Sequence, residues 1–143
     1  MTDSEIPRAG WPLGIIGLVA AVASSLINLA LMFLAKPALG VPDSFGPLSA
    51  GPITFWSFIG AFGAIGVYAL VRRWSATPNR TFVIVAVIVL VLSFIPDLAI
   101  SGVTSGPFGG ATPGAIAILM VMHVISFAIV VPMLNRLARP ATT

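Results

Sequence analysis

Residues 81–101 read TFVIVAVIVLVLSFIPDLAIS, and their interpretation decides the fold. By propensity alone so much Val and Ile favours a strand. The run holds a single charge, Asp97, and shows no alternation of polar and apolar positions. An open strand in hydrocarbon would leave its backbone groups unpaired, and a barrel strand is only about 9–11 residues long with a polar inner face. A helix pairs its own N–H and C=O groups, and about 20 residues at 1.5 Å each cross ~30 Å of hydrocarbon. The stretch is therefore read as a membrane-spanning helix.

Three other runs share its length and character. The first goes from Leu13 to Ala35, between Trp11-Pro12 and Lys36-Pro37; the second from about Pro52 to Val71, stopping at Arg72-Arg73-Trp74; the fourth from near Pro113 to the basic residues Arg136 and Arg139. Proline is tolerated in a first helical turn, and Pro37 is read as lying just past a helix end. The first run exceeds the ~7–15 residues of a signal-peptide core and no convincing A-x-A site follows it, so it is expected to be a retained span. The expected organisation is a short N-terminus (1–12), a transmembrane domain (13–139) with spans at about 13–35, 52–71, 81–101 and 113–135, and a tail (140–143). The fold class is all-α, an integral membrane bundle of four transmembrane helices.

Composition points the same way. The 143 residues are 58% hydrophobic and only 8% charged, against about 25% charged in a soluble domain, so lipid is the expected solvent. The net charge of +3 comes from basic residues clustered beside apolar runs, a topology signal and not a nucleic-acid footprint. With four spans, Arg8, Arg72, Arg73, Arg80, Arg136 and Arg139 fall on one face and Lys36 on the other. The positive-inside rule then places both termini in the cytoplasm, an N-in/C-in protein of the cell (cytoplasmic) membrane. Trp11 and Trp74 fit the inner interface and Trp56 the outer one. The outer connections, 37–51 and 102–112, are rich in Gly, Pro and Ser and are expected to be compact or mobile surface loops. Gly106, Gly109 and Gly110 lack the Lys and the preceding strand of a phosphate loop.

The few polar and small residues within the spans are the candidate sites. Gly17, Ala21, Ser24 and Asn28 recur at steps of four, three and four, one face of the first span. Ser57, Gly60, Gly63 and Gly66, with Ala61 and Ala64, are read as a ridge of the second. Ordinary helix packing through small residues explains both. Asp97 follows Pro96 and shares a face with Ser93; counted from Thr81 it lies roughly 24 Å along its helix and is expected near the outer boundary. His123 and Ser126 belong to the fourth span. His123 and Asn28 lie at similar depth, and a hydrogen bond between them is expected, because unpaired polar groups cost free energy in lipid. Intramembrane ionisable residues are also functional candidates by default.

The chain has no cysteine and one histidine, so no metal site is expected. No cofactor is expected either; His123 could serve only as a single axial ligand to a haem or chlorin. A triad of Ser126, His123 and Asp97 can be assembled by name, but no nucleophile elbow supports it, and no enzymatic activity is expected.

Particular residues also carry a resemblance. The run Asn28-Leu-Ala-Leu-Met-Phe-Leu-Ala, the Arg-Thr-Phe at Arg80, Leu-Ser-Phe-Ile-Pro at 92–96, Met122-His123 and Val-Val-Pro-Met-Leu-Asn-Arg at 130–136 resemble a family of small bacterial four-helix membrane proteins known as domain of unknown function 6069. The resemblance runs from about Leu13 to Arg139, and Asp97 is not ascribed to its pattern. It implies a four-helix bundle in an inner membrane and no established activity. The function expected is a non-catalytic accessory or structural subunit, with the lipid bilayer and other membrane subunits or a second copy as partners and no nucleic acid. The alternative is a small ion, proton or solute transporter or channel working as a homo-oligomer.

Overall fold

The computed structural model describes residues 10–138; Arg8, Arg139 and the tail at 140–143 lie outside the described residues. Four helices account for most of it: α1 (Leu13–Ala38), α2 (Ala50–Trp74), α3 (Pro78–Ala99) and α4 (Pro113–Leu137), with one turn of 3₁₀ helix at Gly106–Phe108. All four are long and apolar enough to cross a membrane. The Val/Ile-rich run at 81–101 is helical through Ala99.

Local chemistry sets the ends. Pro78 and Pro113 sit in the first turns of α3 and α4, where a missing N–H costs nothing. The Thr112 hydroxyl oxygen accepts from the Ala115 N–H at 3.2 Å and caps α4. α1 does not stop before Pro37: it continues through Lys36 and Pro37 and leaves at Gly40, whose φ of +61° suits glycine. A proline removes only one N–H, and at the last turn little helix remains to disrupt.

The helices form a four-membered ring in which α1 packs on α2 and α4, and α3 on α2 and α4; α2 also touches α4 across the ring, whereas α1 and α3 do not meet. At the end bearing Arg72, Arg73, Arg80 and Arg136, the Trp11 N–H donates to the Leu137 carbonyl at 2.7 Å, so both ends of the described chain meet there. The opposite end is closed by its loops. Phe45 and Leu48 of the 39–49 connection are fully buried, Val41 and Ala111 nearly so, and all four join a core with Met32, Ile53, Ala115 and Met122. The two loops touch directly, since a Cβ on Gly46 would lie 2.8 Å from the Pro107 carbonyl oxygen.

A second core occupies the basic end: Ile16, Ala20 and Ala21 of α1, Ala61 and Tyr68 of α2, Phe82 of α3, and Val130, Val131 and Leu134 of α4. Along α1 the order is apolar (16, 20, 21), then Ser24, Ser25 and Asn28, then Met32. The polar residues thus form a layer between two apolar cores.

A polar layer as candidate functional site

Ser24, Ser25 and Asn28 lie on the inner face of α1 because steps of three and four residues keep to one side of a helix. The Asn28 amide nitrogen donates to the Ser126 hydroxyl of α4 at 3.1 Å and, at a longer 3.5 Å, to the Ser57 hydroxyl of α2. One turn away, the Ser25 hydroxyl donates to Thr54 of α2 at 3.2 Å. These bonds tie α1 to both neighbours at one level. The Ser24 hydroxyl and the Asn28 carbonyl oxygen are buried there without a protein partner.

His123 does not meet Asn28. Its Nδ1 lies 2.9 Å from the Leu119 carbonyl oxygen and 3.2 Å from Asp97 Oδ2, and its ring stands edge-on to Phe94 at 6.3 Å. His123 and Ser126 are three residues apart, about 60° around the helix; that offset lets Ser126 face α1 while His123 faces α3. Asp97 is accordingly not an outlying carboxylate. It is 7% exposed and level with His123, ten residues or roughly 15 Å from the start of α4. Its Oδ2 accepts no hydrogen bond of good geometry and lies beside a His123 Nδ1 that is also 2.9 Å from the Leu119 carbonyl oxygen, so the contact is an ion pair when the imidazole is protonated. A protonated imidazole beside a carboxylate, or a neutral imidazole beside a carboxylic acid, is neutral as a unit. Such a unit can sit between apolar cores where either charge alone would be costly. Among the described residues nothing bonds to Nε2, and the His123 side chain is not sealed in, being 38% exposed.

Gly17 faces α2 within the bundle, where a Cβ would collide with the Cδ1 of Ile65, and Ala21 is fully buried in the core at the basic end. Gly60, Gly63 and Gly66 pack against nothing among the described residues. All three are exposed, with nothing within 4 Å of where a Cβ would stand. The cause is angular: steps of three residues drift about 60° each, so Gly66 points opposite Ser57. The inward face of α2 is instead Ile53, Ser57, Ala61 and Tyr68. Ser25 and Thr54 were not among the expected site residues; their signal was the proximity of Ser25 to Ser24 and of Thr54 to Ser57.

Among the described residues no group of three His, Cys, Asp or Glu side chains could hold a metal, so His123 could supply one ligand at most. Residues 9–140 match the model of a family described as "Family of unknown function (DUF6069)". The chain belongs to the DUF6069 family. No curated protein and no solved structure matches it. What its DUF6069 membership adds to the geometry is that the match covers all four helices and both loops, so the polar layer lies wholly within the family's region.

Proposed function

We propose that this DUF6069 protein is a non-catalytic accessory subunit of a membrane assembly, N-in and C-in, docking other membrane components through its outward helix faces. The observation that carries the reading is the outward turn of Gly63 and Gly66, flanked by the exposed Ile59, Phe62 and Leu70. Small residues let helix backbones approach closely, which is how helices associate where lipid is as apolar as they are. Among the described residues nothing packs on that ridge. The basic residues support the orientation: Arg72, Arg73, Arg80 and Arg136 share one end and Lys36 lies at the other.

The polar layer favours this reading over transport through a single chain. A path across the bilayer needs polar groups along its length, and here the cores around Phe45 and Phe82 cover the layer on both sides. Gentle extraction from the native membrane, followed by mass spectrometry of what co-purifies, tests the proposal. The expected result is a stoichiometric complex with another membrane protein, released by Gly63→Leu/Gly66→Leu while the subunit's own thermal unfolding is unchanged. A homogeneous homo-oligomer, or a complex indifferent to the substitution, would overturn it.

A further inference from the structure

The seam between α1 and α2 is tight at one level and open at the next. Leu13 and Gly17 are one turn apart on α1, as are Ile65 and Ala69 on α2. Ile65 fills the space over Gly17. One turn toward the basic end, the small Ala69 cannot do the same, and a depression of about 320 Å³ opens, lined by Leu13, Ala69, Arg72 and Arg73. Its walls are apolar and its rim carries two guanidinium groups.

Arg72, one half of the rim, is held in place. The Arg72 guanidinium carbon lies 5.7 Å from the centre of the Tyr68 ring; that ring stacks edge-on with Phe82 at 5.0 Å, and its hydroxyl donates to Asn79 at 3.1 Å. Tyr68 is therefore fixed from α3 and in turn orients Arg72. Neither arginine has a carboxylate partner among the described residues, whose only carboxylates, Asp43 and Asp97, pair with Lys36 and His123. Trp74, exposed beside them, is a side chain that favours the membrane–water interface. Guanidinium groups with no carboxylate partner among the described residues match a phosphate geometrically, and an apolar depression below them suits the glycerol and upper acyl chain of a lipid better than a free ion.

We propose that Arg72, Arg73, Leu13 and Ala69 form a seat for one anionic phospholipid at the α1–α2 seam. The purified protein is titrated with dioleoyl phosphatidylglycerol or dioleoyl phosphatidylcholine, and bound lipid is counted by native mass spectrometry. One phosphatidylglycerol should be retained in preference to phosphatidylcholine. An interfacial arginine contributes roughly fivefold in affinity, so Arg72→Gln/Arg73→Gln should weaken binding on the order of 25-fold. Ala69→Leu should weaken it about as much while every charge stays, because the cleft is filled; Ala69→Ser should retain it. Arg80→Gln/Arg136→Gln, at the same end but outside the cleft, should change it less than about twofold. Ala69 is exposed, so neither substitution there should alter helical content. The seat is refuted if Ala69→Leu binds like the wild type, if the Arg80/Arg136 variant loses as much as the Arg72/Arg73 variant, if phosphatidylcholine binds equally well, or if inorganic phosphate displaces the lipid.

Discussion

Replacing His123 by Leu puts an apolar side chain of similar reach in its place and strips Asp97 of its partner. Asp97 is 7% exposed and its Oδ2 accepts no hydrogen bond. Leaving one member of a buried pair alone costs about 3–5 kcal/mol. Asp97→Leu removes the opposite member; the imidazole can then stay neutral and keep Leu119, so the loss should be about 1–2 kcal/mol. With both replaced, no charge is left to desolvate, and the double variant should lie within about 1 kcal/mol of the wild type. The cycle therefore predicts a coupling of roughly 3–7 kcal/mol. Two other magnitudes compete with it. Polar pairs between membrane helices average about 0.6 kcal/mol, and a water-screened ion pair contributes at most ~1 kcal/mol. Because the His123 side chain is 38% exposed, screening would matter if that exposed part met water; in a bilayer it meets hydrocarbon along with exposed Val121 and Val124. Steric-trap unfolding in bicelles, on all four members of the cycle, measures the coupling. A value below about 0.6 kcal/mol would show the 3.2 Å contact to be energetically idle, or His123 to be open to water.

The loop core should matter more than its surface pair. Phe45 is fully buried, and Phe45→Ala should cost about 3–5 kcal/mol in the same assay, whereas Asp43→Asn, removing a fully exposed partner of Lys36, should be indistinguishable from wild type. At Gly17 two effects oppose each other. Alanine gains about 1 kcal/mol of helix propensity while its Cβ displaces the half-buried end of Ile65, so Gly17→Ala should be near neutral. Gly17→Leu should lose about 1–3 kcal/mol by overpacking, and equal unfolding free energies for the two variants would count against a tight α1–α2 seam.

The four helices were legible because one constraint, backbone satisfaction without water, overrides the β-propensity of residues such as Val83 to Val91. The glycine ridge was legible in principle: 100° per residue already separates Gly66 from Ser57, and reading three-residue steps as one face ignored that drift. The partner of His123 was not legible. Counting residues from each helix start assumes that all starts share a plane, yet α3 begins at Pro78 and ends at Ala99, before a loop that folds inward. Such offsets come from packing, and one turn of offset exchanges one partner for another. The buried Phe45 was equally hidden, since a Pro/Gly-rich connection carries no periodicity to show which residue turns inward.

These offsets give the helices unequal roles. α1, α2 and α4 are joined at mid-height by Asn28, Ser25 and their hydroxyl partners. α3 has no contact with α1, is the least buried of the four, and turns its Ser93 hydroxyl back to its own Leu90 carbonyl. Among the described residues its polar ties to other helices are two, Asn79 to Tyr68 and Asp97 to His123, one near each end, and Thr81 adds a 2.8 Å hydroxyl bond to Ser75 in the turn that leads into it. Apolar contact alone fixes a helix weakly in lipid, because the lipid offers the same contact. Two polar pins define both height and rotation where a smooth Val/Ile/Leu face would permit sliding. The Asn79 pin also fixes Tyr68, and through it Arg72 at the lipid cleft. The placement of α3 and the shape of the basic rim are therefore one structural decision, made by polar residues at the two ends of the most apolar helix.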